Sequence, residues 1–135
     1  MLQFYFLSIL SNFIAGTALC ADALARRLRS FAALAAVLSS RKGKLSIGLA
    51  ALLVGFGTLF VPASGPLVLG DLLPAMSGMT MGIALLFEVF RQDALFPSEP
   101  PGSKERPSFS YRATLGVLGV AAAVLHVFLP ERPFL

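Results

Sequence analysis

Four stretches of the chain are long, apolar and free of lysine and arginine, and each is bounded by charge or proline. Residues 2–20 carry no charge at all. Residues 45–61 are also uncharged and end at Pro62, where Ala63-Ser64-Gly65-Pro66 reads as a tight neutral turn between antiparallel helices. Residues 67–90 and 113–129 complete the set. At about 1.5 Å of rise per residue, each stretch matches a hydrocarbon core about 30 Å thick. The pattern predicts an all-α integral membrane protein, a single membrane domain over 1–135 with four transmembrane helices in a compact bundle.

Composition agrees. Hydrophobic residues make up 56% and charged residues 13%, against roughly 45–50% and about 25% in soluble domains. One cysteine, Cys20, and one histidine, His126, exclude an intrachain disulfide and supply too few ligands for a zinc site or a cluster. No metal or cofactor is expected. Cys20 reads as a packed or interfacial thiol.

The net charge of +4 changes the picture through its distribution. Arg26, Arg27, Arg29, Arg41, Lys42 and Lys44 fall in the loop 21–44, and Arg91, Lys104, Arg106 and Arg112 in the loop 91–112, leaving only Arg132 elsewhere. The positive-inside rule makes both loops cytoplasmic and both termini external, N-out and C-out. Met1-Leu2-Gln3-Phe4 lacks the basic start of a cleaved leader, so the first stretch is read as a span. The basic residues are thereby explained by topology, and nucleic-acid binding is not expected. The location implied is a cell membrane, multi-pass, of the bacterial cytoplasmic kind.

Within the first loop, Leu24, Leu28, Phe31, Leu34 and Leu38 recur near helical spacing opposite the arginines. That predicts an amphipathic helix on the membrane surface, with Arg26, Arg27, Arg29, Arg41, Lys42 and Lys44 contacting anionic lipid or a partner protein. Asp22 and Glu88 read as boundary acids, pairing along their own helices with Arg26 and Arg91. The second loop holds Pro97, Pro100, Pro101 and Pro107 and is predicted to be irregular.

The chain also repeats itself. An offset of 66 sets Ser11, Gly16, Ala18, Leu19 and Asp22 of the first span on Ser77, Gly82, Ala84, Leu85 and Glu88 of the third. An offset of 68 sets Lys44, Ser46, Gly48, Phe60 and Pro62 on Arg112, Thr114, Gly116, Phe128 and Pro130. Two tandem hairpins of equal orientation would be related by an axis along the membrane normal.

Helices in lipid associate through small residues and a few polar contacts. The candidate seams are Gly16 with Ser8 and Asn12 on the first span, Gly48 and Gly55 on the second, Gly70, Gly78 and Gly82 on the third, and Gly116 and Gly119 on the fourth. Gly78 and Gly82 form a GxxxG motif, which serves packing within the chain or dimerisation. Asn12 is expected to bond across a seam. Pro74, with Gly70, predicts a kink in the third span.

Asp71, near that kink, is a carboxylate in a membrane segment and so a site hypothesis by default. His126 stands at a comparable depth, and the repeat sets Tyr5 on Asp71 and Thr58 on His126. These four form a candidate polar layer, either a hydrogen-bonded cluster that fixes helix register or a proton- or cation-coupled site. No catalytic motif occurs, so the chain is not expected to be an enzyme. Two readings remain: an accessory or assembly subunit whose partners are membrane lipids and another membrane protein or itself, and a small oligomeric transporter or channel using Asp71 and His126.

Overall fold

In a computed structural model, residues 2–60, 72–93 and 111–128 are described, and all of these except Leu28 and Ser40 are helical. Helix α1 spans Leu2–Arg27, α2 Ala32–Ser39, α3 Arg41–Phe60, α4 Leu72–Asp93 and α5 Tyr111–Phe128, with a 3₁₀ turn at Arg29–Phe31 leading into α2. Four helices, α1, α3, α4 and α5, are long and apolar enough to cross a membrane. Residues 67–71, including Gly70 and Asp71, lie outside the described residues. So does part of the proposed kink, since Pro74 stands near the start of α4 as described.

The region predicted as one surface helix is divided differently. The first helix does not stop near Cys20, because Ala21 to Arg27 contains good helix formers and no Gly or Pro. Arg26 and Arg27 occupy its last turn, where positive charge suits the helix dipole. The chain breaks at Leu28, which is extended, and α2 returns to pack on α1 and α3. The expected single apolar face over Leu24, Leu28, Phe31, Leu34 and Leu38 is thus split between two helices, with Leu28 and Leu34 exposed. Ser40 makes the next break and the next start. Its hydroxyl donates to the Val37 carbonyl at 2.7 Å and accepts from the Gly43 N–H at 3.0 Å, an N-cap on α3.

Successive spans alternate in direction, with the ends near Asp22, Lys44, Glu88 and Arg112 gathered together by ion pairs. The most extensive packing joins α3 to α4 and α1 to α5; α1 also meets α3 and α4, and α4 meets α5, whereas among the described residues no close backbone approach joins α3 to α5. The interior is built from small side chains. Ala15, Ala18, Ala51, Ala75 and Ala123 are buried with Leu19, Met81 and Leu85, while Phe6, Phe56, Phe87, Leu118 and Phe128 face outward.

Two seams set the closest approaches. A methyl at Gly16 would lie 2.7 Å from the Gly116 carbonyl oxygen, and one at Gly82 would lie 2.7 Å from the Gly48 carbonyl oxygen and 2.8 Å from the Leu52 nitrogen. The two contacts match under the sequence offsets: Gly16 corresponds to Gly82 and Gly116 to Gly48. Gly55 lies against Ala75 and Met79 of α4, and Gly119 against Met81. Gly78 faces inward to Asn12 and Ala51, so both glycines of the GxxxG motif are engaged within the chain.

Because the neighbours of Gly82 are backbone atoms that cannot swing away, Gly82→Ala should cost about 1–3 kcal/mol through overpacking. At Gly57 an added methyl meets nothing within 4 Å, so Gly57→Ala should be neutral or stabilising by up to about 1 kcal/mol. Denaturant titration of both variants in detergent micelles checks the contrast.

Candidate functional site

Charged residues converge at one end of the bundle. Lys44 Nζ on α3 lies 3.2 Å from Glu88 Oε2 on α4, Arg112 Nη1 on α5 lies 3.0 Å from Asp22 Oδ2 on α1, and Arg112 Nε also pairs with Glu88 Oε1. The Ser39 hydroxyl donates to Asp22 Oδ1 at 2.9 Å, tying the end of α2 into the same cluster. Lys44 is the most buried member, with its side chain 6% exposed against 49% for Asp22. Here the structure corrects the sequence reading. Asp22 and Glu88 join neighbouring helices to α5 and α3, and Lys44 is committed to Glu88 instead of to lipid. Arg26, Arg27, Arg29 and Lys42 remain exposed. These ion pairs again correspond under the offsets, since Asp22 maps to Glu88 and Arg112 to Lys44.

Toward the opposite end of α1 and α5, the Tyr5 hydroxyl donates to the backbone carbonyl of His126 at 2.7 Å, and the two rings stand 4.7 Å apart. His126 is 2% exposed. From Tyr5 to Asp22 is about 26 Å along a helix, so the ion-pair cluster and the Tyr5–His126 contact are separated by close to the thickness of a hydrocarbon core. Of the four residues expected in one polar layer, the structure brings Tyr5 and His126 together. Thr58 is buried but bonds within its own helix, to the Gly55 carbonyl at 2.8 Å. Asp71 lies outside the described residues.

Midway, Asn12 Nδ2 donates to the Pro74 carbonyl at 3.0 Å, joining α1 to α4 as a seam contact. Cys20 Sγ approaches the Ala113 carbonyl at 3.4 Å, a packed thiol at the α1–α5 seam. Among the described residues no group of three histidine, cysteine, aspartate or glutamate side chains is placed to hold a metal.

Two lateral grooves flank the bundle. One of about 630 Å³ lies between α4 and α5, with Leu73, Met76, Ser77, Thr80, Leu115 and Leu118 among its walls. One of about 250 Å³ lies between α1 and α3, walled by Leu7, Leu10, Ser11, Ile14, Ile47 and Ala50. Each named wall residue of the second corresponds to one of the first at an offset of 66 or 68. A third cavity of about 490 Å³ continues the α4–α5 groove to the charged end, sharing Thr80 and Leu115 and adding Glu88, Arg91, Tyr111 and Arg112. The grooves and the cross-helix ion pairs escaped sequence reading for the same reason: both depend on which helices become neighbours. The offset pairing of Asp22 with Glu88 and Lys44 with Arg112 was their one advance signal.

Removing Glu88 strands Lys44, the most buried charge of the cluster. Glu88→Ala is expected to cost about 3–5 kcal/mol, whereas Asp22→Ala, at a half-exposed position, should cost no more than about 1 kcal/mol. Denaturant titration in micelles at low and high salt separates the two, the smaller effect being the one salt screens further.

No curated protein and no solved structure matches the chain. A family model does match it, over residues 1–126, which takes in three of the apolar helices and all but the last two residues of the fourth, and the chain belongs to that family, whose function is unknown.

Proposed function

We propose that the protein is an accessory or assembly subunit of a membrane complex, a scaffold of two similar two-helix hairpins without catalysis of its own. The observation that carries this reading is the correspondence of contacts under the two offsets. The Gly16–Gly116 seam corresponds to Gly82–Gly48, and Asp22–Arg112 to Glu88–Lys44. Asn12 meets its own counterpart, Gly78, where α1 crosses α4. Such a pattern is what a pseudo-twofold axis along the membrane normal produces. The interior is consumed by packing, and large apolar side chains and two grooves face outward, where a partner helix or lipid would meet them. The excess of Lys and Arg around the ion-pair cluster orients that end toward the cytoplasm, N-out and C-out, in a cell membrane of the bacterial cytoplasmic kind.

The second reading, an oligomeric transporter or channel using Asp71 and His126, is favoured by one observation. A titratable ring is sunk into the bundle at 2% exposure, with a tyrosine hydroxyl on its backbone carbonyl. An intramembrane ionisable group of that kind marks a coupling site in transporters.

Purification of the tagged protein from its native membrane in mild detergent, with particle mass and identification of stoichiometric companions, tests the first reading. A fixed membrane-protein companion is expected, and a homo-oligomer alone would overturn it. In the second case, reconstituted Asp71→Asn should remain folded and abundant yet lose proton or cation flux. Flux equal to that of the wild type would remove Asp71 from the mechanism.

A further inference from the structure

The two lateral grooves have corresponding walls but different ends. Between α1 and α3, the chain supplies its own apolar cover near the charged end: α2 packs on both helices, and its Leu38, like Ile47, packs against the core. Between α4 and α5 the groove instead opens into the cavity flanked by Glu88, Arg91, Tyr111 and Arg112. In sequence, the loop of the second half has no counterpart to the Phe31–Leu38 run. Residues 97–110 contain four prolines together with Glu99, Lys104, Glu105 and Arg106.

Among the described residues, charge at this mouth is unbalanced in one direction. Glu88 is matched by Lys44 and Arg112, and Arg112 also by Asp22. Arg91 is exposed and has no ion-pair partner among the described residues. Beside it, Tyr111 is 75% exposed and offers a hydroxyl donor. From Arg91 back to Leu73 the α4 wall runs about 27 Å, apolar for most of its length. An apolar channel headed by a guanidinium that none of the described acids pairs, and by a phenol, suits an anionic phospholipid. We infer that the α4–α5 groove binds one acyl chain of such a lipid from the leaflet at the charged end, with its phosphate held by Arg91 and Tyr111.

The chain contains no tryptophan, which permits a direct test. Leu118 lines the groove and is 64% exposed, and Phe56, on α3 outside both grooves, is 54% exposed. Leu118→Trp and Phe56→Trp each introduce a single fluorophore that brominated acyl chains quench on contact. Both variants are reconstituted in vesicles mixing unlabelled phosphatidylcholine with brominated phosphatidylglycerol, or with brominated phosphatidylcholine as control. With Leu118→Trp, quenching should report about a fivefold preference for phosphatidylglycerol, the factor expected of one basic residue at the surface. Adding Arg91→Gln should abolish the preference, and Phe56→Trp should show none. Equal quenching by the two lipids, or a preference that survives Arg91→Gln, would overturn the assignment. So would protection of Leu118→Trp from both lipids while Phe56→Trp is quenched, the result expected if protein fills the groove.

Discussion

Backbone-to-backbone approach is the contact on which the bundle depends. Lipid offers no hydrophobic gain for bringing two helices together, so the attraction must come from dispersion and polar contacts at short range. Gly16 with Gly116 and Gly48 with Gly82 let α1 reach α5 and α3 reach α4 so closely that a single methyl on either seam would strike a carbonyl oxygen. The alanine-rich interior follows from that spacing, because little room is left between the helices for larger side chains. The leucines and phenylalanines are displaced outward, where lipid accommodates them.

Close packing also determines what the charges do. With α3 drawn against α4, and α1 and α4 against α5, Lys44, Glu88, Arg112 and Asp22 come within pairing distance across helices. Burial makes those pairs consequential. An exposed ion pair contributes little, but a buried ammonium such as that of Lys44 must keep its carboxylate or carry an uncompensated charge out of water. The cluster therefore works as a lock on helix neighbours, and the Tyr5 hydroxyl on the His126 carbonyl holds α1 against α5 toward the opposite end.

The same geometry bears on function. Buried polar side chains are spent inside the bundle, Asn12 across the α1–α4 seam on the Pro74 carbonyl and Thr58 within its own helix on the Gly55 carbonyl. What the protein presents to its surroundings is the outer surface, above all the α4–α5 groove, larger in volume than its counterpart between α1 and α3. A scaffold that meets lipid or a partner through its flanks is the reading these features favour.

The sequence by itself determined the helical class, the four apolar spans and the small-residue faces, because length, hydropathy and spacing along one helix are properties of local sequence. It also carried the offsets of 66 and 68, which set Asp22 on Glu88 and Lys44 on Arg112. Tertiary structure alone decided the partners. Helix-internal pairs such as Asp22 with Arg26 satisfy every local rule, yet Asp22 turns to Arg112 because packing brings α5 beside α1. The break at Leu28 likewise depended on a return of the chain onto α1 and α3 that helical periodicity cannot express. A helix face is written in the sequence, but which face it meets is set by the approach distances of whole helices, and those exist only once the bundle has closed.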